Sequence, residues 1–175
     1  MSLSRRVFGL LLPLGFAVAA CGFTPAYGPD GPAEQLRVQV AMDAPGDRNE
    51  FDLVKQLELR LGQASAPVYQ LAYDIDTVQE GVGVTPEQEI VRINIFGKVS
   101  FTLTDAATGA ILTSGSTDTF TGYSVGAVDA TTIPPSTNAT IATLSAERDA
   151  NRRLMVALAD QIVTRLIATS SVWLR

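Results

Sequence analysis

Carboxylates are the only side chains in this sequence that could form a catalytic pair. Asp74/Asp76 and Glu87/Glu89 stand two residues apart. On a strand that spacing puts both members on one face, where one could donate a proton and the other accept it. Solvated charge on a strand face or loop is the plainer reading of both pairs. Nothing else joins them. The 175 residues contain no histidine, which removes every Ser-His-Asp or Cys-His nucleophile and the imidazole zinc helix. One cysteine, Cys21, excludes a disulfide framework and a cysteine zinc site. The glycines form neither a dinucleotide fingerprint nor a phosphate loop, and no calcium loop is present, so no cofactor is expected. A net charge of −5 argues against non-specific nucleic-acid binding.

The cations are more suggestive. Arg92 and Lys98 fall on the polar side of an alternating segment, with Phe96 between them. Arg148, Arg152 and Arg153 cluster early in a late helical segment. An anionic amphiphile, such as one with a phosphorylated lipid head group, needs cations beside apolar or aromatic surface, which makes Arg92 and Lys98 candidate contacts. A solvated face is the simpler account of any one of these residues.

The first twenty residues read as an address. Arg5 and Arg6 precede an apolar run from Val7 to Ala20, too short to span a bilayer. The run ends Val18-Ala19-Ala20-Cys21. This resembles a bacterial lipobox, with cleavage expected between Ala20 and Cys21 and lipidation of Cys21; an ordinary buried cysteine after a simple secretory signal is the plainer alternative. Several acyl chains anchor far more firmly than one, since each buried CH₂ contributes about 0.8 kcal/mol. Ser4-Arg5-Arg6-Val7-Phe8 also looks like a twin-arginine signal, although two arginines serving only as n-region charge read equally well. Gly22, where an aspartate would favour the inner membrane, leans towards the outer one. Loss of residues 1–20 takes away two arginines and no acid, moving the side-chain charge from −5 to −7. The sequon Asn138-Ala139-Thr140 means little in a bacterial chain.

These residues need a scaffold. Residues 22–34, with Pro25, Gly28, Pro29, Gly31 and Pro32, are expected to hold neither helix nor central strand, so 21–34 reads as a lipidated tether. Residues 35–175 read as one domain. Leu36, Val38, Val40 and Met42 alternate as a first strand. Asp47 and Glu50 have capping-box spacing, predicting a helix from Arg48 to Gly62 with Leu53, Val54, Leu57, Leu61 and Ala64 as its stripe. Tyr69, Leu71, Tyr73 and Ile75 make a second strand. Glu80 to Glu89 reads as a hairpin loop or extension. Val91, Ile93, Ile95, Val99, Phe101 and Leu103 share one face of a third strand, and Gly97 marks a bulge or a close approach. Asp105–Gly109 is a tight connection, and 110–123 a Thr/Ser-rich fourth strand. Ser124–Asn138 reads as a long loop. A helix of about Ile141–Ala168 follows, striped by Leu144, Met155, Leu158, Ile162 and Leu166. Arg148 and Asn151 fall on that stripe, where they would project past the sheet or meet a polar partner. The order βαβββα predicts an α+β two-layer sandwich, a four-stranded sheet with two helices on one face.

Two segments carry a family resemblance. Cys21-Gly22-Phe23-Thr24-Pro25-Ala26-Tyr27-Gly28 resembles the mature start of LptE-type lipoproteins. Ala142 to Ala150 and Asp160 to Leu166 resemble the late helix of that family's alphaproteobacterial branch. The resemblance implies a non-enzymatic outer-membrane lipoprotein on the periplasmic face. Such a protein plugs an LptD-like outer-membrane β-barrel and helps deliver lipopolysaccharide to the outer leaflet. A second reading is an accessory lipid-binding lipoprotein of an ABC-type envelope transport system. A third is an envelope hydrolase built on Asp74 and Asp76.

Overall fold

The computed structural model describes residues 25–29, 31–84, 89–129 and 141–174. Helix α1 (Pro32–Leu36) is followed by β1 (Val40–Met42), α2 (Arg48–Leu61), β2 (Tyr69–Val84), β3 (Glu89–Asp105), β4 (Ile111–Asp129) and α3 (Ile141–Trp173). The four strands form one sheet in sequence order. β1 runs parallel to β2, as a crossover through α2 requires, and β2–β3–β4 is an antiparallel meander. This is the expected α+β architecture, with one short helix added at the front.

That addition corrects the start of the domain. Pro32 opens a five-residue helix instead of belonging to a featureless tether, because proline's fixed φ suits a first helical position. The helix turns Leu36 fully into the core. Val38, expected inside the first strand, instead has φ +54 and is exposed, so the strand begins only at Val40. A β-branched residue in that left-handed region is strained.

Helix α2 forms where its signals place it. Asp47 caps it by accepting the Glu50 amide at 2.8 Å, and the Glu50 carboxylate accepts the Gly46 amide at 2.5 Å. Leu53, Val54, Leu57 and Leu61 are buried, whereas Ala64 lies beyond the helix. Gly62 ends it at φ +80, a conformation open to glycine.

The hairpin from β2 to β3 is longer than expected. β2 continues through Gly81 and Gly83 to Val84, with register shifts on either side of Gly83. Backbone pairing tolerates these glycines by irregularity. The rest of the expected loop, 85–88, lies outside the described residues. β4 likewise extends to Asp129, so the expected loop from Ser124 starts as strand, and 130–140 lie outside the described residues. Asp105 accepts from the Ala107 and Thr108 amides and the Thr108 hydroxyl, fixing the β3–β4 turn. Those bonds, first from Thr108, hold the Asp105 carboxyl below the usual range.

Helix α3 spans 33 residues, about 50 Å at 1.5 Å per residue, and so runs along strands of comparable length. By length and composition it could cross a membrane. Here Leu154, Met155, Leu158, Ile162 and Leu166 are buried in the core. Its first turns do face the core, through Thr143 and Ala150, while Leu144 is exposed. The helix also outlasts the expected end at Ala168. Trp173 packs edge-on against Tyr69 at 5.7 Å and donates to Thr169 Oγ1.

Gly97 resolves as a close approach. Its register with Thr77 and Thr119 is unbroken, and a Cβ there would lie 2.9 Å from Leu154 Cδ2. The absent side chain lets α3 sit down on the middle strand.

Candidate functional site

Strand alternation divides β3 sharply. Ile93, Ile95, Val99, Phe101 and Leu103 are buried under the helices, as expected. Arg92, Phe96, Lys98 and Ser100 are exposed on the other face, with Asn94 and Thr102 partly covered. Cross-strand register then assembles rows on that outer face.

The middle row is apolar. Val78, Phe96 and Phe120 stand in register across three strands and are exposed by 58, 39 and 60 %. The two rings are 5.5 Å apart. Three large apolar groups side by side in water form a patch, and a patch of this kind marks interaction surface more than a single exposed residue does.

A charged row lies on one side of it. Lys98 stands between Asp76 on β2 and Asp118 on β4. Cross-strand opposite charges attract, so Lys98 is a cation flanked by acids. On the other side stand Arg92 and Asn94. A Cβ at Gly122 would lie 2.7 Å from Asn94 Oδ1 and 3.3 Å from Arg92 Nε, so Gly122 leaves the room these side chains occupy over β4. Asn94 Oδ1 is buried without a hydrogen-bond partner among the described residues. Arg92 itself makes no ion pair among them.

Arg92 and Lys98 therefore share a face but not a site. Six residues on one strand separate them by about 20 Å, with the aromatic row between. Asp74 and Asp76 do lie together on this face, exposed, with Asp76 beside Lys98. The side chains of Glu87 and Glu89 lie outside the described residues, as do Ala20 and Cys21.

Arg148 and Asn151 occupy the helical layer instead. With Arg48, Asp52, Glu147 and Arg152 they line a cleft of about 660 Å³ between the start of α2 and the early turns of α3. Asp52 is buried and pairs with Arg48 at 3.3 Å. Asn151 donates to Glu147 O at 3.2 Å. Arg152 and Arg153 both pair with Asp149, which leaves Arg148 as the unpaired cation of that cluster among the described residues.

Two arginines of α3 serve the sheet. Arg165 donates to Ser116 O at 2.8 Å, and Arg153 reaches Gly122 O at 3.4 Å. Ser116 and Gly122 belong to β4, the outer strand, so both guanidiniums cover carbonyls of a sheet edge.

Beneath the Arg92 end, Gln79 donates to Glu147 Oε1 at 2.9 Å. The Tyr123 hydroxyl is buried there without a partner among the described residues. Burial first, and then the Glu147 charge, push its pKa up to about 12.

The sequence pointed to Arg92, Phe96 and Lys98 but missed Val78, Phe120, Asp118 and Gly122. Only strand register brings those residues alongside. The turn at Asp105–Gly109 was the one signal that could have set it for β4.

The sequence pattern of the LptE, lipopolysaccharide-assembly family matches residues 33–166. A comparison with curated protein sequences finds no match. Solved structures share the fold. A protein described as a lipoprotein from Caulobacter crescentus is 20% identical, with a TM-score of 0.62 over 80% of this chain and 96% of that one. A minor lipoprotein from Acinetobacter baumannii is 17% identical, with a TM-score of 0.51 over 75% and 90%. Rare lipoprotein B from Shewanella oneidensis is 11% identical, with a TM-score of 0.50 over 76% and 95%.

Proposed function

Because the chain belongs to the LptE, lipopolysaccharide-assembly family, we propose that it is a lipid-anchored plug for an LptD-like outer-membrane β-barrel. In this role it assists delivery of lipopolysaccharide to the outer leaflet. Cys21 carries the anchor at the periplasmic face, and the domain holds and guides its cargo without catalysing a reaction.

The observation that carries this reading is the outer sheet face. Its Ser, Thr and Asp residues suit the polar lumen of a large barrel. Its apolar row suits an acyl chain, and Arg92, one row beyond Glu80 and Asn94 and reaching over Gly122, suits a phosphate. Lys98, held between two acids, makes the weaker phosphate contact. The overall acidity of the chain then matters little, because the contact is local. Arg148 and Asn151, in the helical cleft, are the contacts offered to the protein partner.

Crosslinking from position 96 and from position 148 in intact envelopes, followed by identification of the captured protein, tests the pairing. An outer-membrane barrel at both positions is expected. Capture of inner-membrane ABC transport components would overturn the plug in favour of an accessory lipid-transport role. For the cargo, Arg92→Glu with Lys98→Glu should release lipopolysaccharide from the folded protein. Unchanged retention would remove both residues from the contact.

A further inference from the structure

A second apolar feature lies at the opposite end of the molecule from the Arg92 shelf. The last turns of α3 and the segment just before α1 enclose a groove of about 640 Å³. Ala26, Tyr27 and Pro32 form one wall, and Ile167, Ala168 and Leu174 the other. Two hydroxyls in its lining are turned inward. Thr164 Oγ1 donates to Asp160 O at 2.7 Å, and Ser170 Oγ to Ile167 O at 2.7 Å. Gln35 and Ser171 complete the lining, and the rest of the groove presents mainly carbon. A peptide laid in it would leave amides poorly satisfied, whereas a hydrocarbon chain needs no hydrogen bond.

The chain itself brings a hydrocarbon to this place. Cys21 precedes Ala26 by five residues, so its Cα is at most about 18 Å from the groove wall at 3.3–3.6 Å per residue. We infer that the groove takes one of the acyl chains carried by Cys21. The inference rests on the proposed lipidation of Cys21.

A methylene escapes water in the groove as it does in the bilayer, so seating one tethered chain there keeps that burial and also covers the groove's apolar wall. The remaining chains stay in the bilayer. One acyl chain in the groove and the others in the membrane then fix the C-terminal end of α3 at the bilayer surface. Tyr27 and Val172, 68 and 77 % exposed at this end, are placed where amphipathic and apolar side chains meet lipid. The anchor thus orients the domain as well as retaining it.

The test uses the full chain expressed in cells fed a diazirine-bearing fatty acid, purified and placed in phosphatidylethanolamine–phosphatidylglycerol vesicles. After irradiation, mass spectrometry should find the Cys21 acyl chain joined to Ile167, Ala168, Ser171 or Leu174 of the same molecule. Ala168→Trp with Ser171→Trp, both at exposed positions, fills the groove and should abolish that crosslink while thermal unfolding stays unchanged. Intact mass separates the two ways of failing. An acylated Cys21 whose crosslinks go only to vesicle lipid, or to another protein, overturns the groove alone. A mature chain with no acyl group overturns the anchor, and the groove's occupant with it.

Discussion

The two faces of the sheet obey different rules, and β3 belongs to both. Towards the helices, Ile93, Ile95, Val99 and Leu103 are completely enclosed. Away from them, Arg92, Phe96, Lys98 and Ser100 meet water. On the covered face the fold itself demands hydrophobic residues. On the open face burial demands nothing, so the apolar row Val78, Phe96 and Phe120 has only cross-strand pairing to gain from the fold, and is the part of the sheet free to serve the proposed contact. Apolar residues therefore carry different information on the two sides: an enclosed isoleucine reports stability, and an exposed phenylalanine bears on the proposed contact.

The sharpest break of this comparison is Ile95→Ala. Truncating a fully buried side chain of this size should lower unfolding free energy by about 3 kcal/mol, read from urea melts. A loss as small as a surface substitution gives would mean the covered face is loosely packed. Gly97→Val comes next. Its Cβ meets Leu154 and Leu158, and overfilling this contact should cost about 2 kcal/mol by the same melts.

Tyr123→Phe probes the boundary between the faces. The fold holds the Tyr123 hydroxyl protonated to about pH 12, while an unfolded tyrosine ionises near 10. The raised folded pKa makes this contribution fully present below pH 10 and lost as pH rises towards 12. Tyr73, also pushed up to about 12 by burial and then by Glu50, behaves alike. Tyr123→Phe should make the fall between pH 10 and 12 shallower, and cost little at neutral pH because the lost hydroxyl has no partner among the described residues. An unchanged alkaline slope in melts from pH 9 to 12 would remove Tyr123 from that loss. Phe96→Ser with Phe120→Ser should change stability by no more than about 0.5 kcal/mol per site. The same pair should cost crosslinking from position 148 to the barrel and retention of lipopolysaccharide. A stable variant that keeps both would leave the apolar row without a role.

The covered face was largely legible in the sequence. Alternation through Leu103, the Asp47 cap and the Gly62 stop are local signals, and each gave its element to within a few residues. The open face was only half legible. Alternation assigns Phe96 to it, but Val78 and Phe120 become its neighbours through pairings that depend on the lengths of two hairpins. Gly81 and Gly83 hid the continuation of β2, because irregular pairing carries a strand past residues that weaken it. Leu36 and Val38 were misleading in a different way. Their spacing fits a strand, yet Leu36 reaches the core from a helix and Val38 turns the chain. At the start of α3, small residues make the contact with the core, and a search for large apolar side chains passes over Thr143 and Ala150.

The arginines along β4 have a consequence for how this molecule lives among other strands. A sheet ends where its outermost carbonyls find something other than a new chain. Here β1 covers β2 only at Tyr69–Leu71, while on the other margin Arg165 and Arg153 reach the Ser116 and Gly122 carbonyls of β4. A strand added along β4 would have to displace both guanidiniums. A protein that works beside a wall of β-strands, or that waits next to one still closing, is exposed to being stitched into it. In the proposed role, the guarded β4 margin lets it touch such a wall through side chains and still remain a separate body.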